Sequence, residues 1–76
     1  MSGHQAARRA TDALAVALEE AGFDVGRAYP ELRTTIDQTG AARVESGPME
    51  PATAVQLAEL LTRAAGNGIT VATLGH

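Results

Sequence analysis

The side chains able to carry chemistry are few and widely spread. Two histidines, His4 and His76, stand at opposite ends of the 76-residue chain, neither Ser2 nor Ser46 has a histidine in a sequence context that implies contact, and there is no cysteine. Nucleophilic catalysis needs a hydroxyl or thiol held against a base, and a metal site needs several His, Cys or carboxylate groups converging on one point. No spacing here approaches either arrangement. Asp24 and Asp37 occupy loop or turn positions, where Asp serves the backbone, and Glu19 with Glu20 reads as a solvated helix end. Gly66-Asn67-Gly68 lacks the following helix whose N-terminus would hold a phosphate, and no serine sits in an Asp-Ser-Leu setting for a prosthetic arm. The sequence therefore predicts a protein that is not an enzyme and uses no cofactor and no metal.

Contact is the alternative to chemistry. Arg27 and Tyr29 lie two residues apart just ahead of Pro30, and Arg and Tyr are over-represented among the side chains that anchor interfaces. With Arg33 and Arg43 they make up the candidate protein-binding set, and the expected partner is another protein. A plainer role for Tyr29 is to cover an aromatic-poor core with its hydroxyl in water, since the only other aromatic is Phe23.

The charge balance narrows the partner further. Six arginines, no lysine and nine acidic residues give a net charge of −3 and an isoelectric point near 5.1. Replacing counterions along a phosphate backbone requires a basic excess, so nucleic acid is a poor fit. The alternative reading is a nucleic-acid-associated transcriptional regulator whose Arg8, Arg9, Arg27, Arg33 and Arg43 gather on one side; against it, Asp37 and Glu45 share the hairpin's outer face and no aromatic platform is available for bases. No apolar run is long enough to span a bilayer, and residues 1–10 lack the apolar stretch of a signal peptide. A cytoplasmic location and no membrane association are expected.

Hydrophobic spacing supplies the elements that hold these residues. Ala7, Ala10, Leu14, Ala17, Leu18 and Ala21 recur at helical intervals and predict a helix over 4–21, closed by Gly22, with Phe23 folding back onto Leu18. Residues 24–31 read as an irregular connection. From 32 to 46 the pattern alternates: Leu32, Thr34 and Ile36 point one way, and Arg33, Thr35 and Asp37 the other. Gly40 suits the left-handed position of a three-residue loop with a G1 bulge. That turn sets Ile36 opposite Ala42, Thr34 opposite Val44 and Arg33 opposite Glu45. Pro51 begins a helix over 51–65 with Glu50 as its N-cap and a stripe of Ala54, Leu57, Ala58, Leu61 and Ala65, widened by Val55 and Leu60 and expected to be buried. Residues 69–74 have β-branched alternation and predict either a third strand or an arm able to join a neighbour's sheet.

These elements define a small two-layer α+β domain in the order αββα(β), a single domain over 1–76 with hairpin 32–46 and two helices on one of its faces. Its bulky apolar side chains are few: seven Leu, five Val, two Ile, one Phe and one Tyr, against sixteen Ala. Domains of this size generally add disulfides, a metal or a partner subunit to a small core. With the first two ruled out by composition, a homodimer or a core completed on another chain is expected.

Overall fold

The computed structural model describes residues 2–75, and it is an α+β domain. Helix α1 spans Ser2–Glu20, a single-turn helix α2 spans Val25–Ala28, strands β1 (Arg33–Ile36) and β2 (Ala42–Glu45) form an antiparallel hairpin, α3 spans Pro51–Gly66, and α4 is one turn at Val71–Leu74.

The hairpin follows the expected register: Arg33 faces Glu45, Thr34 faces Val44 and Ile36 faces Ala42. Its loop is closed by the Asp37 backbone, which accepts from Gly40 N at 3.0 Å and donates to Ala41 O at 2.9 Å. Gly40 takes φ +86°, the left-handed conformation that this bulge demands. Both long helices end in the same way. Gly22 (φ +108°) lets Phe23 N donate to Leu18 O, and Gly68 (φ +84°) lets Ile69 N donate to Ala64 O, each at the distance of a normal hydrogen bond. The left-handed residue after α3 is thus Gly68, with Gly66 still helical. Glu50 and Pro51 open α3 as N-cap and first residue, as expected.

Helix α1 lies along both strands and also touches α2, whereas α3 makes no comparable contact with the strands. The core is small: Leu18, Phe23 and Tyr29, with Val25, Ala28, Leu32, Met49 and Leu57 packed around them. Phe23 and Tyr29 meet edge to face with ring centres 5.5 Å apart. Helix α3 thus reaches the body of the chain through Leu57, and Met49 just ahead of it does the same.

Three expectations need correction. Residues 69–74 are not a strand: Thr70 caps α4, accepting from Thr73 N at 3.3 Å and donating its own N–H to Thr73 Oγ1 at 2.9 Å. This reciprocal pair of hydrogen bonds satisfies locally what a ladder would have satisfied, and it overrides the β-branched preference of Ile69 and Val71. The buried edge of α1 is Ala7, Thr11 and Leu18 with half-buried Ala15, so Ala10, Leu14, Ala17 and Ala21 of the expected stripe lie in water. Of the stripe expected on α3 only Leu57 is partly buried, while Ala54, Ala58, Leu61 and Ala65 are exposed; the covered edge runs instead through Thr53, Leu57 and half-buried Ala64. His76 lies outside the described residues.

Candidate protein-docking surface

The four residues singled out by type do not converge. Tyr29 is the most buried of the core side chains, 3% exposed, so its ring closes the chain's own core instead of offering an anchor to a partner, and its hydroxyl is not in water. That hydroxyl is buried without a hydrogen-bond partner. Arg27 is exposed at the end of α2 and borders a shallow depression of about 180 Å³ with Pro30, Pro48 and Met49.

Arg33 and Arg43 do share the hairpin's outer face, but each has a carboxylate there. Arg33 Nη2 donates to Glu45 Oε1 at 3.2 Å, with Glu31 Oε1 4.0 Å from Nη1. Arg43 Nε donates to Asp37 Oδ2 at 2.9 Å. Asp37 is the electrostatic centre of the hairpin: its Oδ1 also accepts from Thr39 Oγ1 at 2.6 Å, Thr39 N at 2.9 Å and Ala41 N at 3.0 Å. The Thr39 hydroxyl and then the Arg43 guanidinium hold its carboxyl well below the usual carboxylate range. These are solvated pairs that brace the turn and add little to stability. They also neutralise the face, leaving no run of free basic charge to follow a phosphate backbone.

Among the described residues, no three His, Asp or Glu side chains come together as a metal site would require. An open groove of about 260 Å³ lies between the end of α1 and one side of α3, bordered by Phe23, Gln56, Glu59, Leu60 and Arg63. It holds one acid and one base and no nucleophile.

What stands out is apolar surface. On α3, Val55 is 57% and Leu61 62% exposed, and Ala54, Ala58 and Ala65 are open beside them. On α1, Leu14 is 40% and Val16 56% exposed. A folded monomer of 7.8 kDa has an accessible surface of about 4,400 Å² by size scaling. This chain has 5738 Å², a surplus of roughly 1,300 Å². Its radius of gyration, 13.9 Å, likewise exceeds the ~11 Å of a close-packed chain of this length. The excess follows from architecture. The four-residue strands leave Ile36 and Val44 exposed, the segment 69–74 leaves Ile69, Val71 and Leu74 exposed, and α3 is covered only along buried Thr53 and half-buried Leu57 and Ala64. Residue type alone pointed to Arg and Tyr; the signal that marks this surface instead is an apolar arc on α3 wider than so short a hairpin can cover.

No helix among the described residues is long and apolar enough to cross a membrane. Comparison with protein-family models, with curated proteins and with solved structures finds no match to this chain.

Proposed function

We propose that this chain is a non-catalytic protein-binding or regulatory accessory module that works in the cytoplasm by docking the outer face of α3 onto another polypeptide. The observation that carries the reading is the apolar set left open on α3, where Val55 is 57% and Leu61 62% exposed beside exposed Ala54, Ala58 and Ala65. Isolated exposed apolar residues are ordinary, but an aligned set on one helix is a feature of interaction sites. The cysteine-free composition suits a reducing compartment. The nucleic-acid alternative is weakened by the carboxylates that engage Arg33 and Arg43.

A photocrosslinking side chain placed at position 58 tests this. In cells it is expected to capture another protein, while the same group at position 43, on the hairpin's charged face, captures none beyond this chain itself. Equal yields of other proteins from the two positions would remove the docking assignment.

A further inference from the structure

We infer that the outer edge of β2 joins a second copy of this chain, the two hairpins meeting antiparallel about a two-fold axis at Val44 to make one continuous sheet. This goes beyond docking at α3 and uses a different surface.

The backbone supplies the first ground. In an antiparallel ladder, successive residues direct their N–H and C=O alternately toward the partner strand and away from it. Asp37 N donates to Ala41 O, and the register carries that phase to Thr35 with Arg43 and Arg33 with Glu45. Arg43 and Glu45 therefore turn their backbone groups to β1. Ala42 and Val44 turn theirs outward, where among the described residues no hydrogen bond reaches them. Arg43, Val44 and Glu45 are all exposed, Val44 at 39% although it lies on the α1 side of the hairpin opposite Thr34. Such an edge is a template for another strand. The outer edge of β1 is less open, because the Leu32 N–H is already taken by Tyr29 O at 3.1 Å.

Charge supplies the second ground, and it selects both occupant and register. An added copy must set outward backbone groups against outward ones and keep the same face toward α1, so the allowed registers differ by steps of two residues. Centred on Val44, the pairing places Val44 on Val44, Arg43 on the second copy's Glu45, and Glu45 on the second copy's Arg43. Sliding one strand by two residues sets Arg43 against Arg43 in one direction and Glu45 against Glu45 in the other. Opposite charges directly across a ladder stabilise it, and like charges destabilise it. Arg43 and Glu45 would meet at positions without backbone bonds between them, where side chains approach most closely. The contacts within each chain leave atoms for this: Arg33 takes Glu45 Oε1, and Asp37 Oδ2 takes Arg43 Nε. Glu45 Oε2 and the Arg43 Nη atoms then face the second copy, and the outer face carries Arg33, Glu45, and the second copy's Arg43 and Asp37 in alternating sign. The edge is its own complement, so a second copy is the occupant it fits.

Light scattering from about 10 µM to about 1 mM tests the pairing, together with isotope-filtered NMR on a mixture of labelled and unlabelled full-length chain. The mass is expected to rise with concentration toward twice 7.8 kDa. The NMR is expected to show a contact between the Arg43 α-proton of one copy and the Glu45 α-proton of the other; within one strand these residues lie roughly 7 Å apart. Arg43→Glu and Glu45→Arg are each expected to be monomeric, since each sets like charges across the axis. An equal mixture of the two variants is expected to restore the dimer as a mixed pair. Should either variant fail to fold, the α-proton contact in the unmodified chain still decides. A chain that stays monomeric at about 1 mM overturns the inference. So does a dimer that lacks the α-proton contact, or one that both single variants retain. Capture of another protein at position 58 is a separate readout, so the α3 reading can fail or hold without altering this result.

Discussion

The hydroxyls of Thr11 and Thr34 stand 2.7 Å apart, joining the middle of α1 to β1 in a part-buried contact. Thr11 Oγ1 donates to Ala7 O at 2.9 Å, and Thr34 Oγ1 reaches the same carbonyl at 3.4 Å. With Thr11 donating to Ala7 O, the Thr34 hydroxyl can donate to Thr11 Oγ1 or to the same carbonyl. This polar link ties the Ala7–Thr11 turn of α1 to Thr34 of β1.

The link predicts a non-additive pair of substitutions. Thr11→Val keeps the shape but leaves Thr34 only the long contact to Ala7 O, so it is expected to cost about 1 kcal/mol, as is Thr34→Val. The double variant removes both polar groups together and is expected to cost less than the two single losses added, with a coupling of roughly 0.5–1.5 kcal/mol. Urea denaturation of the four proteins measures it. Strict additivity would mean that the two hydroxyls do not interact in solution.

Tyr29 predicts a contrast between two truncations. Tyr29→Phe removes a buried hydroxyl that has no partner, so stability is expected to stay level or rise by up to about 1 kcal/mol. Tyr29→Ala removes the ring that packs on Phe23 and is expected to cost about 3–5 kcal/mol, enough to unfold a domain of this size. Thermal denaturation separates these outcomes. A large loss from Tyr29→Phe would mean that the hydroxyl has a partner in solution.

Gly47 predicts a backbone effect. Its φ is +72°, and a Cβ built there would lie 2.6 Å from the Cβ of Glu31, where the chain leaving β2 passes the chain entering β1. Gly47→Ala therefore meets a left-handed penalty of roughly 1–2 kcal/mol with a steric clash added to it. Gly66→Ala is the comparison: the residue is helical and its Cβ would meet no neighbour, so a gain of roughly 0.5–1 kcal/mol is expected. Thermal denaturation of both variants checks the sign, and equal effects would contradict the close passage at Glu31.

Part of this was legible in the sequence and part was not, for physical reasons. Local rules carried the hairpin: Gly40, the charge match of Arg33 with Glu45 and the alternation of Leu32, Thr34 and Ile36 agree on one register, and that register is present. The Gly22–Phe23 stop was legible in the same way. Residues 69–74 were misread because β-branched side chains suit a strand only where a partner strand is present, and Thr70 with Thr73 offered a local alternative. The face of α1 was misjudged because alanine surrounds much of the helix, so apolar spacing alone did not single out an edge. Thr11 did so instead, through a hydroxyl that hydrophobicity counts against burial. Tyr29 could be read by type either as an interface anchor or as the cover of an aromatic-poor core; it takes the core position against Phe23, but with its hydroxyl buried and not in water.

Asp37 predicts the chain's response to acid. Its carboxyl is held below its ordinary value of 3.8, first by the Thr39 hydroxyl and then by Arg43. For a group whose folded value is depressed, the stabilisation is fully present above the unfolded value and is lost as pH falls through the folded one. The hairpin turn is therefore expected to be insensitive to pH above about 5 and to loosen only on acidification well below 4. NMR titration of the Asp37 carboxyl carbon is expected to give a midpoint below the ordinary value of 3.8, with the Thr39 amide shift following it. Arg43→Gln should raise that midpoint part of the way and leave the Thr39 hydrogen bond in place, because Thr39 is the larger cause. An Asp37 midpoint at the ordinary value would show that this bracing of the turn does not persist in water.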